Sequence, residues 1–190
     1  MTWIKVCGIT SKADAEAAIE AGVSAIGLVF ATSLRQVSLE RALGIAALAR
    51  NRVQVVGVFR EAGLVEAAHA VVRFDLIQIH SDARLTVAVP VLRAVRPELL
   101  DRKVLDEGET TLIDGSEGKG ITFDWARIRA RAGRFVIAGG LTPENVGQAI
   151  ASARPFGVDV SSGVETAPGL KDAGTMARFV AAARRADALL

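Results

Sequence analysis

The chain has a single cysteine, Cys7, and two histidines, His69 and His80. One thiol cannot form an internal disulfide, which fits a reducing cytoplasm. A cysteine and two histidines so far apart offer no zinc spacing, so no metal site is expected. No apolar run approaches the ~20 residues of a membrane-spanning helix. The opening Met1-Thr2-Trp3-Ile4-Lys5 lacks a signal-peptide pattern. The net charge is only +2 and no basic run is present. That excludes an obvious nucleic-acid binder and leans weakly toward a small anionic ligand. There is no linker, low-complexity stretch or second domain.

What is present is a hydrophobic fraction of 51% over 190 residues, enough for one domain, 1–190, with a full core. Eight β-rich runs alternate with helical ones. Strands are predicted near 3–7, 25–30, 54–59, 75–80, 90–95, 110–114, 135–138 and 157–161. Helices are predicted over Lys12 to Ala21, Leu39 to Arg50, Leu64 to Val72, Pro143 to Ala151 and Ala173 to Ala188. Strand and helix alternating at this spacing means βαβ units and a parallel sheet. Eight units of about 24 residues favour a closed (β/α)8 barrel, the α/β TIM-barrel fold, over an open doubly wound sheet. Some helices must then be short; Ser81 to Val89 has room for barely two turns. Thr10 or Ser11 can cap the first helix and Ser38 the second. Pro143 falls at the first helical position of its helix.

In such barrels the site lies at the C-terminal ends of the strands. Alternation predicts that Lys5 faces inward with Cys7, Gln78 with His80, Leu112 with Asp114, and Asp159 with Ser161. Closing the barrel makes the first and last strands neighbours. An inward charge is costly unless paired, so a Lys5–Asp159 ion pair is predicted beneath the site.

Two strands end in glycine and hydroxyl turns: Gly139-Gly140-Leu141-Thr142 after strand seven and Ser161-Ser162-Gly163 after strand eight. Each can be an ordinary tight turn. Placed after strands seven and eight, they occupy the recurrent phosphate position of these barrels. Glycine lets the backbone approach an anion closely, and helix-start N–H groups favour it. Cys7 closes strand one. A lone cysteine is more often a small buried hydrophobe. As a base or nucleophile it needs a pKa lowered by a nearby cation or helix start, and Lys5 lies two residues back. Asp124, in Phe123-Asp124-Trp125, is either a helix cap or a general acid poorly solvated beside an indole. The preceding Gly118-Lys119-Gly120 is too short for a dinucleotide fingerprint. Arg35, in the loop after strand two, is either a solvated cation or a fork for a substrate carboxylate. His80 reads as a satisfied rim histidine and His69 as a surface one.

These residues together resemble the phosphoribosylanthranilate isomerase family of tryptophan biosynthesis over nearly the whole chain. The most specific blocks are Lys5-Val6-Cys7-Gly8-Ile9-Thr10, Phe123-Asp124-Trp125, Ala138 through Val146, and Gly157 through Glu165 with Pro168-Gly169-Leu170-Lys171-Asp172. The resemblance implies a cofactor-free Amadori rearrangement of a phosphosugar amine, an aldose-to-ketose isomerisation. It implies Asp124 as the acid that opens the furanose ring and Cys7 as the base at C2′. It places Arg35 near the anthranilate end. Gly139, Gly140, Asp159, Ser161, Ser162 and Gly163 fall to substrate binding, the two glycine turns holding the 5′-phosphate. No metal, nucleic acid or membrane partner is implied, and a monomer is the default. Three departures stand out: Ser81 where the family usually has glycine, Leu34 where it has proline before the arginine, and a short stretch from Leu99 to Asp114. These bear on substrate affinity and loop closure rather than on acid and base. Two other readings stay open. One is a sister phosphosugar barrel, histidine-pathway-like or bifunctional, which would be expected to carry an aspartate where this chain has Cys7. The other is an inactive phosphate-binding barrel, for which Cys7 and Asp124 would serve no purpose.

Overall fold

In a computed structural model of the chain, residues 1–100, 108–115, 124–125, 128 and 134–190 are described. Eight parallel strands close into a barrel in sequence order. They are β1 (Trp3–Cys7), β2 (Ala25–Val29), β3 (Gln54–Phe59), β4 (Leu76–Ile79), β5 (Val91–Val95), β6 (Thr110–Asp114), β7 (Phe135–Ala138) and β8 (Gly157–Val160). The described helices are α1 (Lys12–Glu20), α2 (Leu39–Ala49), α3 (Val65–Val72), α4 (Val146–Ala153) and α5 (Ala173–Asp187). A two-stranded hairpin of β9 (Glu165–Ala167) and β10 (Leu170–Lys171) lies between β8 and α5. The (β/α)8 barrel read from the alternation is the fold, and each strand lies within a residue of its predicted limits.

Local chemistry sets the helix starts. Ser11, not Thr10, caps α1, its Oγ accepting the Asp14 N–H at 3.0 Å. Ser38 caps α2 in the same way through Arg41 at 3.2 Å. Two expectations are corrected. Ser81 to Val89 forms no helix. Pro143 lies in a turn, and α4 begins three residues later at Val146. The reason is Asn145, whose Oδ1 accepts the Thr142 N–H at 2.8 Å and whose amide donates to the Gly140 carbonyl at 2.8 Å. The side chain folds the entry into a loop before the helical ladder begins. The segment Gly118-Lys119-Gly120 and Phe123 lie outside the described residues, as does part of the stretch from Leu99 to Asp114.

Apolar side chains divide into two bodies, as strand alternation demands. The larger lies between the sheet and the helices and includes Ile4, Ile26, Ile77, Ile113, Val158 and Phe179. The smaller fills the barrel interior, with Ala25, Val56, Val58, Leu92, Leu112 and Val136. Lys5 enters this interior fully buried. Gly27 on β2 makes the room. A Cβ there would stand 2.9 Å from Cys7 Sγ and 3.0 Å from Lys5 Cε. Any side chain at position 27 would displace one of them.

Candidate active site

The register of β1 against β8 sets Lys5 opposite Asp159. Their side chains meet at 2.9 Å with essentially no solvent exposure. The predicted ion pair is therefore present. Burial by itself would lower the Lys5 pKa; the Asp159 carboxylate outweighs it and holds the ammonium above its usual range. Cys7 lies one inward step above Lys5, at the mouth, and is buried. Here the sequence expectation is corrected. The thiol pKa is raised, because desolvation exceeds the opposing pull of the Lys5 and Lys171 ammonium groups. A nearby cation was correctly foreseen, but a charge already partnered by Asp159 cannot overcome so closed a setting.

Above this floor opens a cavity of about 340 Å³, within the range of small-ligand sites. Its wall comes from the C-terminal ends of the strands. Of the candidate site residues, Cys7, Arg35, Gly139, Gly140, Asp159, Ser161 and Ser162 line it. Gly139 and Gly140 have φ of 91° and 65°, a left-handed path that residues with a Cβ rarely follow. Gly163 is not among the lining residues. It lies where the two loops touch, and a Cβ there would stand 1.9 Å from the Leu141 carbonyl oxygen. Its lack of a side chain brings the loops together. Ser161 Oγ donates to the Cys7 carbonyl at 3.0 Å, fastening the β8 loop to the end of β1.

Arg35 is neither solvated nor idle. Its Nε and Nη2 donate to the two Glu165 carboxylate oxygens, both at 2.8 Å. Lys171 Nζ donates to the same carboxylate at 2.7 Å and to the Ser161 carbonyl at 3.1 Å. Burial by itself would raise the Glu165 pKa; the hydrogen bonds from Arg35 and Lys171 outweigh it and hold the carboxyl below its usual range. The sequence reading gave Glu165 and Lys171 no role. A signal existed: Pro168-Gly169 marks a turn, and a hairpin about it sets residues 165 and 171 across from each other, as their observed pairing does.

Gln78, His80 and Asp114 also line the cavity. Gln78 Nε2 meets His80 Nε2 at 2.9 Å, while Gln78 Oε1 is buried without a hydrogen-bond partner among the described residues. Asp124 is exposed, whereas Trp125 beside it is buried. The carboxyl is thus better solvated than the sequence reading of an acid beside an indole supposed. Asp124 is not among the residues lining the cavity, and residues 116–123 and 126–127 around it lie outside those described.

A thiol, one member of each of two charge networks (Asp159 and Arg35) and two touching glycine loops therefore meet at one cavity at the mouth of the strands. That combination defines a small-molecule site in a (β/α)8 barrel, of the kind that grips an anion and moves protons. The family model described as N-(5′-phosphoribosyl)anthranilate isomerase matches residues 4–182, and the chain belongs to that family. It is 42% identical to the N-(5′-phosphoribosyl)anthranilate isomerase of Cellvibrio japonicus, over 98% of this chain and 95% of that one. The Streptococcus mutans enzyme of the same name is 38% identical, over 97% and 100%. Among solved structures, phosphoribosylanthranilate isomerase from Thermotoga maritima superposes with a TM-score of 0.85 at 34% identity, covering 97% of this chain and 100% of that one. A phosphoribosylanthranilate isomerase holding reduced 1-(o-carboxyphenylamino)-1-deoxyribulose 5-phosphate superposes with a TM-score of 0.83, at the same identity and coverage.

Proposed function

We propose that the protein isomerises N-(5′-phosphoribosyl)anthranilate to 1-(2-carboxyphenylamino)-1-deoxyribulose 5-phosphate, a step of tryptophan biosynthesis. The observation that carries this is the single cavity that gathers Cys7, Arg35 and both glycine loops. Gly139, Gly140, Ser161 and Ser162 hold the 5′-phosphate, with Gly163 keeping the loops in contact. Arg35 meets the anthranilate carboxylate. Asp159 acts through Lys5, fixing the charge below the base.

The Asp124 carboxylic acid gives its proton to the furanose oxygen, the C1′–O bond breaks, and a Schiff base forms. Cys7, as the thiolate, takes the C2′ proton, leaving an enolamine. The enol O–H proton is lost as the C2′ carbonyl forms, and a proton is added at C1′. No atom is gained or lost, as an isomerisation requires. Each acid–base step supplies about 10²–10⁴-fold, so holding the substrate at both ends must contribute much of the remainder. The cysteine at the end of β1 favours this reaction over a histidine-pathway isomerisation, for which an aspartate is expected there. The same reading takes residues 1–190 as one domain and the enzyme as cytoplasmic, a monomer by default with an oligomer or a pathway assembly left open. Among the described residues, no helix is long and apolar enough to cross a membrane.

The test is the decay of anthranilate fluorescence when protein is added to freshly made phosphoribosylanthranilate. Wild type should consume it. Cys7→Ser and Asp124→Ala should each lose at least about a hundredfold in kcat with a much smaller change in KM. Near wild-type turnover in either variant removes that residue from its role.

A further inference from the structure

Arg35 can grip a carboxylate only if its fork is aimed, and the ties within its loop fall on backbone groups and on Gln36 rather than on the guanidinium. Leu34, where the family usually has proline, is 78% exposed. Within the loop, the Arg35 N–H donates to Ser33 Oγ at 3.2 Å. The stronger supports come from the far end of the chain. Gly169 packs against the Leu34 carbonyl oxygen, which a Cβ there would approach to 2.8 Å. The Gly169 carbonyl accepts the Thr10 hydroxyl at 2.7 Å. The Arg35 stem lies on Gly8, next to Cys7; a Cβ on Gly8 would be 2.5 Å from Arg35 Cδ.

A guanidinium has two edges that can each hold a carboxylate. Glu165 occupies the Nε–Nη2 edge of Arg35. One N–H of Nη1 and the second of Nη2 form the other edge. Arg35 lines the cavity and Glu165 is not among the lining residues. The carboxylate therefore holds the fork from behind. The same carboxylate holds Lys171, which reaches the Ser161 carbonyl, and Ser161 holds the Cys7 carbonyl. One chain of hydrogen bonds runs from the cation meant for the aromatic end to the strand that bears the base.

Resting on the isomerase reading above, we propose that Glu165 is a positioning residue for substrate recognition: it presents the Nη1–Nη2 edge of Arg35 to the substrate's aromatic carboxylate and fixes its distance from Cys7. A carboxylate partner behind the arginine replaces the rigidity a proline at position 34 would provide.

The experiment compares two substrates, phosphoribosylanthranilate and its aniline counterpart, which lacks the carboxylate. Glu165→Gln keeps the shape but loses the charge. It should raise KM for the anthranilate substrate by roughly tenfold, the worth of a charged hydrogen-bond pair, with kcat changed less than about threefold. KM for the aniline substrate should stay at the wild-type value. Arg35→Ala with Glu165→Gln should be no worse than Arg35→Ala. If Glu165→Gln does not fold, Arg35→Lys, which keeps the charge but loses the fork, should show the same substrate dependence. An unchanged KM for phosphoribosylanthranilate, or an equal rise for both substrates, overturns the proposal while leaving the isomerase intact. A wild type that consumes neither substrate overturns the isomerase reading, and the proposal falls with it.

Discussion

Two ion-pair systems lie within the same barrel mouth, and they are built differently. Lys5–Asp159 is a pair in the interior, each member on a barrel strand and each facing the other across the β1–β8 seam. Arg35–Glu165–Lys171 is a triad at the rim, carried by a loop and a hairpin, with Arg35 side-chain exposure of 19%. The interior pair cannot move without unzipping the sheet. The rim triad can yield at Arg35, the group proposed to meet the substrate carboxylate. In that proposal, charges on strands set the conditions for Cys7, and charges on loops recognise. The same pairing chemistry thus serves rigidity in one place and adjustable aim in the other.

The interior pair should break hardest. Lys5→Met leaves a buried Asp159 carboxylate unpaired and should cost about 3–5 kcal/mol of stability, seen as a lower denaturant midpoint. Lys5→Met with Asp159→Leu should recover most of that loss. If the single variant is as stable as the wild type, the pair is not the floor of the site. Next in size is the seam between the phosphate loops. Gly163→Ala forces a methyl group onto the Leu141 carbonyl oxygen and should cost about 1–3 kcal/mol, with weaker binding of inorganic phosphate in calorimetry. Phosphate binding equal to wild type would separate Gly163 from the grip.

The smallest effect is the one most specific to the base. Burial lifts the Cys7 thiol above its ordinary value of 9.0. In the free protein the thiolate is therefore the minor form at neutral pH, and its fraction grows as pH rises. Iodoacetamide alkylation of Cys7, which reads the thiolate alone, should speed up as pH rises from neutral into the alkaline range. An alkylation rate flat from pH 7 to 9 would mean that burial does not hold the thiol protonated.

Much of the fold was legible because it depends on alternation. Each strand carries its apolar residues at a spacing that a parallel sheet requires, and the inward positions of Lys5, Gln78, Asp114 and Asp159 followed from parity. Helix lengths were less legible. Asn145 competes with the backbone through its side chain, and a proline at position 143 hides that competition. In the site, Cys7 and both glycine turns could be placed at one mouth because each follows a barrel strand directly, although such residues are common in ordinary turns and cores. The direction of the thiol pKa could not, since burial at the mouth depends on how eight strands close. Glu165 was missed for a related reason. Its partner Arg35 is 130 positions away, and only closure of β8 onto β1 brings them together.

That closure also has a consequence in time. Lys5 emerges from the ribosome 154 residues before Asp159, and Glu165 and Lys171 follow later still. Until the last strand is made, Lys5 has no counter-charge and cannot be buried without great cost, so β1 has no stable seat. Cys7 and the groups around its cavity come together only when the ring is complete. A truncated or stalled chain that ends before β8 therefore lacks half of the seam, and with it any assembled catalytic pocket.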